Sequence, residues 1–448
     1  MAITLNEHKV KHIDQESLLL IDLLETSTLM PDDPVADDPK KEKLIDPPPI
    51  LTFTMPDNYI LTKGNLPFDC FKRTCIGFNE ENYIRFKKLV DTIHKGHEVG
   101  TKISHEFVHK TVWGWLIQAK RKGQSDGSLS DYLHEQLNGA IKEYKMHFTI
   151  LYLHPKYKFN IGLAEFGSFS GEYFDKFIDT FNKNKPGLPN VFVRMKKEYF
   201  GQKYVAVTVE GEKIRAQQIA ADYCAIAVDI LKICSDTLDQ PDLKISFDID
   251  FRSQESPQDK TLVEAINSED GLTTQLRRKP ANYDLEERRM AAIEKRGLNT
   301  FRDFLISIEQ EKPSELQNLI LRAIRRFADA LTNTDLHRRV ASLFTILESL
   351  LLLDQDSPIT DSVVKYTTRL VSKDIETRKI LSVLIKELYK VRSKWVHHAI
   401  EEPIHEKDLA GLQIVVHTLL KVLIGKTKQH KEKATILKEI DDAILSAG

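Results

Sequence analysis

DIETRKILSVLIKELYKVRSKWVHHA, residues Asp374–Ala399, reads as one helix starting near Asp374 and running over Ile375–Val396. Residues three or four apart share a helix face, so Tyr389, Ser393 and Val396/His397 form one stripe, with Arg392 one position off it. His397 follows Arg392 by five residues, about 140° round a helix that turns 100° per residue. The two side chains therefore meet at one point only if the helix loosens near His397, or if a second chain completes the site. The pair joins a fixed cation suited to phosphate with a side chain that moves protons near neutral pH.

Working outward, the chain from Pro313 is helical in period throughout. Ser314–Leu331 puts Leu316, Leu319/Ile320, Ala323/Ile324 and Phe327 on one face. Thr334–Leu353 repeats that period through Val340, Phe344, Leu347 and Leu350/Leu351, with Asn333 or Thr334 as the expected cap. A shorter helix is expected over Asp361–Val371, another over Lys407–Ile424, and a peripheral one beyond Lys426. Helices joined by short loops predict an antiparallel bundle.

With these elements in place, the final third resembles an HEPN domain of the Apea-like kind. That family carries an arginine and a histidine four to six residues apart at a helix end, preceded by tyrosine and followed by serine. Tyr389, Arg392, Ser393 and His397 match. LFTILESLLL (Leu343–Leu352) resembles the family's helix with a glutamate in an apolar run, and YTTRLVS (Tyr366–Ser372) its short arginine-bearing segment. The likeness covers Pro313–Lys426. Where the family usually has glycine after the motif histidine, this chain has His398.

The resemblance implies metal-independent RNA cleavage, in which the ribose 2′-OH attacks the adjacent phosphorus and leaves a 2′,3′-cyclic phosphate. His397 would shuttle the proton and Arg392 would face the developing charge. Ser393 would orient the imidazole, and Tyr389 would stack on a base or pack at the bundle edge. Two protomers facing each other through the motif helix would make the site composite. Glu348, alone among leucines, needs a partner if buried; the resemblance implies Arg392 or Arg369, and the helical phase also permits solvent.

The rest of the chain is read from composition and period. Its 448 residues carry a formal net charge of −2 with 29% charged residues, which fits a globular protein and argues against a nucleic-acid-coating one. Residues 313–448 hold 21 Lys/Arg against 18 Asp/Glu, a local +3 compatible with RNA binding. A helix is expected over Glu16–Glu25, and Pro31–Pro49 reads as an acidic, proline-rich linker. Helices are expected over Glu80–His94, Ile103–Arg121, Leu129–Lys145, Glu172–Asn182 and Lys213–Ile233. Strands are expected over His147–His154, Lys203–Val209 and Leu243–Phe251. The segment 254–312 reads as a charged connector with one helix, Leu285–Arg296, stopped by Gly297.

Cys70, Cys75, Cys224 and Cys234 form no CxxC pair and are expected as free thiols in a reducing compartment. The N-terminus lacks a signal-peptide layout. His417 and Lys421 interrupt the best apolar run, Leu412–Ile424, so no membrane span is expected and the location is expected to be cytoplasmic. HEFVH (His105–His109) fits the HExxH zinc pattern, with Glu106 as base. Lys110 and Thr111 are unlike the zincin flanks, and a third ligand would have to come from Glu135 or Glu143. Trp113 and Trp115 read as core.

The expected fold class is α+β: a mixed α/β N-terminal domain followed by an all-α HEPN-type bundle. Expected boundaries are 1–49 (helix and linker), 50–253 (α/β accessory or sensor domain), 254–312 (connector) and 313–448 (bundle). The expected function is an endoribonuclease in bacterial antiviral defence or a toxin-like role. It would act on RNA as a homodimer or higher homo-oligomer, with no cofactor and no metal. The alternatives are a non-catalytic HEPN module for dimerisation or ligand binding, and a zinc metallopeptidase acting through His105–His109.

Overall fold

The computed structural model describes residues 7–28, 61–63, 66–71, 74–124, 127–175, 196–243, 247–250, 260–264, 272–276, 282–309, 313–353 and 358–446. The fold combines helices and strands, an α+β chain. It falls into two compact units. The first comprises Met1–Met146, Gly187–Arg194 and Thr208–Ala220, the second His147–Pro186, Met195–Val207 and Ala221–Gly448. The expected linker Pro31–Pro49 lies outside the described residues, as does Glu172–Asn182 beyond residue 175.

The first unit packs α1 (Glu7–Leu23), α2 (Glu80–His94), α3 (His97–Lys102), α4 (His105–Lys122) and α5 (Leu129–Ala140). A small sheet accompanies them, with strands β1 (Glu25–Thr28), β2 (Leu61–Lys63), β3 (Leu66–Phe71) and β4 (Thr74–Gly77) in the order β1-β4-β3-β2. Phe86 and Phe78 both meet the Trp113 ring edge-on at 5.7 Å, so Trp113 is core as expected, and Trp115 is buried too. Asp14 of α1 accepts hydrogen bonds from the Ser130 amide at 2.9 Å and hydroxyl at 2.8 Å, fixing α1 to the start of α5.

Two expected helices have other bounds. Ile103–Arg121 is one continuous helix, α4, that starts at His105 because Ser104, extended, caps it and accepts from the Phe107 amide at 3.1 Å. Leu129–Lys145 ends at Ala140 and is followed by β5 (Lys142–Leu151). The reason is period: Tyr144, Met146, Phe148 and Ile150 alternate with polar residues, a strand pattern that starts before the helix was expected to stop.

A buried carboxylate ties two helix starts together in this unit. Glu212 is 5% exposed and precedes α6 (Lys213–Ile233). It accepts from the amides of Ile214 at 2.8 Å, Arg215 at 3.2 Å and Ser104 at 3.3 Å. Amides at helix N-termini lack intrahelical acceptors and carry partial positive charge, so one anion serves α4 and α6 at once.

In the second unit, past β6 (Leu153–Pro155), a five-stranded sheet has the order β10-β5-β9-β8-β7, where β7 is Phe159–Ile161, β8 Ala164–Ser168, β9 Lys203–Gly211 and β10 Asp248–Ile249. Of the expected strand Leu243–Phe251, only Asp248–Ile249 is a strand among the described residues. Two helices occupy the expected connector: α7 (Glu287–Lys295), followed by Gly297 at φ +109°, and α8 (Leu298–Glu309). The second had no expectation, although Leu298, Phe301, Phe304 and Leu305 are spaced for one buried face and are buried.

The C-terminal helices follow their period closely. They are α9 (Glu315–Thr332), α10 (Leu336–Leu351), α11 (Ile359–Val371), α12 (Ile375–His398), α13 (Glu406–Lys426) and α14 (Lys433–Leu445). Ser314 and Gln317 close a capping box on α9. The cap of α10 is Asp335 rather than Asn333 or Thr334; it accepts from the amides of His337 at 3.0 Å and Arg338 at 3.2 Å. By length and composition α13 could cross a membrane, with a mean hydropathy of 1.5 that His417 and Lys421 do not lower enough. This corrects the expectation of no such run; 61% of its apolar window is buried in the protein.

Arg339 of α10 is 3% exposed and no carboxylate pairs with it among the described residues. It donates to the carbonyls of Pro241 at 2.7 Å and Asn333 at 3.0 Å, and burial pulls its pKa below the usual arginine value. Beside it Gln413 of α13, fully buried, donates to the carbonyls of Thr237 at 2.8 Å and Leu238 at 3.0 Å.

The double cap generates a stability test. Glu212→Ala strips an acceptor from three amides at once and is expected to cost about 2–4 kcal/mol, read as a lowered melting temperature of the first unit. Glu212→Gln keeps one oxygen acceptor and should lose less.

Candidate active site

The second unit brings three of the sequence-marked residues into contact. Glu348 projects from α10, and Tyr389 and Arg392 from α12. Arg392 Nη2 lies 3.5 Å from both Glu348 carboxylate oxygens, and the two side chains are 18% and 20% exposed. The Tyr389 hydroxyl donates to Glu348 Oε1 at 3.2 Å and lies 3.5 Å from Arg392 Nη1. The guanidinium carbon sits 5.3 Å from the Tyr389 ring centroid, and Phe344 meets that ring edge-on at 5.0 Å. Glu348 therefore does not point to open solvent. Its cation is Arg392, while Arg369 is exposed on α11.

This cluster is paired but not clamped. A close charge-assisted hydrogen bond runs at roughly 2.7–2.9 Å, so contacts of 3.5 Å leave the guanidinium loosely held. Arg392 Nε is buried and donates to nothing among the described residues. Burial, then the charge on Glu348, holds the Tyr389 phenol above its usual pKa, so it stays a protonated donor at neutral pH.

His397 is not part of that cluster. The helix keeps its period through His398, so His397 stays about 140° round from Arg392. It is exposed, with the His398 ring 6.5 Å away. No side-chain hydrogen bond joins Ser393 to His397 among the described residues. Helix α12 then stops sharply. Ala399 adopts the left-handed conformation, φ 53°, ψ 31°, its amide bonding back to the carbonyl of Trp395 at 3.1 Å. The Ile400 amide reaches Lys394 O at 3.3 Å, completing the stop. The left-handed residue is thus Ala399, one place beyond His398. His337 of α10, its ring stacked on Trp395 at 6.2 Å, donates from Nε2 to Glu402 O at 2.8 Å and holds the segment after the stop.

The HEFVH residues take separate partners in the first unit. His105, the first residue of α4, donates from Nε2 to Asp91 at 2.8 Å, and Glu106 pairs with Lys110. His109 packs against the Phe86 ring at 4.9 Å, and burial, helped by His105 and Lys110, pushes its pKa down to about 4. Among the described residues no group of three or more His, Cys, Asp or Glu side chains is placed to hold a metal ion.

No family model, curated protein or solved structure matches the chain. The chemistry therefore rests on geometry and on the residues themselves. Sequence reasoning missed His337, which carries no motif signal, and Ala399, whose conformation favours glycine.

Ala399 supplies a local test. Replacing it by glycine removes the steric cost of the left-handed conformation and should stabilise the second unit by about 0.5–1 kcal/mol, measured as a raised urea midpoint; a glycine that destabilises would mean the stop is held by other contacts.

Proposed function

We propose that this chain is a metal-independent endoribonuclease of the HEPN type, with a composite Arg392/His397 site formed between two copies. The observation that carries the reading is the Glu348–Tyr389–Arg392 cluster on α10 and α12, with an exposed histidine at the end of the same helix. Within one chain Arg392 and His397 are turned apart, and a second protomer facing α12 would supply the missing partner to each. Exposed apolar residues Ile380, Val383 and Val396 on that helix support a protein-covered face. The role proposed with it, cytoplasmic antiviral defence or toxin-like RNA cleavage, rests on the family resemblance alone.

In the proposed reaction His397 takes the proton from the ribose 2′-OH as that oxygen bonds to phosphorus. The P–O5′ bond breaks, the 5′-oxygen takes the proton that the His397 imidazole gained, and a 2′,3′-cyclic phosphate remains. Arg392, swinging off its 3.5 Å contact with Glu348, meets the charge that builds on the phosphoryl oxygens. Tyr389 is then free of its ion-paired neighbour and can stack on an unpaired base. The second reading, a non-catalytic HEPN module that only dimerises or binds a ligand, is favoured by one fact: Arg392 is already occupied by Glu348.

The two readings part in one assay. The protein is expected to cut unpaired RNA in EDTA, giving 2′,3′-cyclic ends. His397→Ala and Arg392→Ala should each cost a factor of about 10² or more, and His398→Ala far less. If His397→Ala cuts as fast as the unaltered chain, the role given to His397 fails; an inert chain favours the binding module. Light scattering should report a homodimer or a larger assembly, and a monomer would sink the composite site.

A further inference from the structure

We propose that the first unit binds a small phosphorylated molecule in the cleft where α4 and α6 begin. The cleft encloses about 500 Å³ and is lined by His94, His105, His109, Arg215 and Gln218 among others. That volume lies in the range of pockets that hold nucleotide-sized ligands, about 300–1,000 Å³. Nothing in the ribonuclease reading uses these residues, and the proposal stands without it.

The recognition falls to side chains. The amides of Ser104, Ile214 and Arg215 are already taken by Glu212. Arg215, half-buried, makes only long contacts: Nε to Thr101 O and Nη1 to Gln218 Oε1, both 3.4 Å. No carboxylate pairs with it among the described residues. His94 donates from Nε2 to the Ile103 carbonyl at 3.2 Å, and His105 from Nε2 to Asp91 at 2.8 Å. Each ring is thereby oriented by its Nε2, with Nδ1 as the second ring nitrogen. The two rings stand 5.3 Å apart.

Carboxylates are present, and each is engaged: Asp91 with His105, Glu106 with Lys110, Glu212 with backbone amides. They do not reverse the field. His94 is held below its usual pKa by burial first, against its bond to Ile103, and then by His105 and Arg215, which outweigh Asp91. His105 and Lys110 likewise outweigh Glu106 at His109, where the Tyr83 hydroxyl is the other polar neighbour at 3.5 Å. Both imidazoles thus sense cations more strongly than anions. A phosphate dianion would relieve that repulsion, pair with Arg215, and let His94 take a proton and donate from Nδ1.

Calorimetry on the full chain with inorganic phosphate, pyrophosphate, AMP and ATP tests this, at about pH 6.5 and about pH 8, either side of imidazole titration. At least one probe should bind, more tightly at the lower pH. AMP or ATP binding above inorganic phosphate would assign an organic phosphate; the reverse order would assign the free ion. Arg215→Gln, at a partly exposed position, should weaken binding about tenfold or more, with an unchanged melting temperature as the folding control. Ring resonances of His94 and His109 should move on binding. No binding by any probe at millimolar concentration, or equal affinity in Arg215→Gln, overturns the proposal.

Discussion

A carboxylate four-fifths buried on an apolar helix has to be met by a cation, and the ion pair of Glu348 with Arg392 is that meeting. It does more than neutralise charge. Turning α12 by one residue would move Arg392 about 100° and leave Glu348 buried without its partner, a costly state. The rotational setting of α12 is therefore pinned from α10, and the direction in which His397 faces follows from it. Tyr389 sits where it does for the same reason, its hydroxyl serving the same carboxylate. The orientation of His397 is thus decided by a residue on another helix.

The parts of the fold legible in the sequence were those carried by local period. The helices α9 to α13 lie within two residues of where Leu316, Phe327, Leu347 and their neighbours place them. Their apolar faces repeat over several turns, and burial rewards that pattern directly. For Glu348 the resemblance implied Arg392 or Arg369 and the helical phase also permitted solvent; the fold selects Arg392. Where two periods competed over a few residues, the reading ran past the boundary. Lys142–Lys145 looked like a last helical turn and is the first stretch of a strand.

What the sequence hid was mostly non-local. Glu212 gives no sign that it serves Ser104, because the two amide sets meet only after folding. The cleft at His94, His105 and Arg215 is hidden for the same reason. HEFVH was visible as a pattern, but a pattern of spacing says nothing of what stands opposite each ring. Asp91 took His105 and the aromatic core took His109. The motif's two histidines share a helix face without sharing a ligand.

Arg339 and Gln413 bear on where this polypeptide can be cut. Their acceptors include the carbonyls of Thr237, Leu238 and Pro241, far upstream of the helices that bury them. A fragment beginning at Pro313 would carry a guanidinium stripped of one of its carbonyls and an amide stripped of both, each inside an apolar surround where water cannot easily substitute. The smallest self-sufficient piece of the second unit therefore begins before Thr237, because a buried guanidinium and a buried amide set the boundary that helical period alone would have drawn at Pro313.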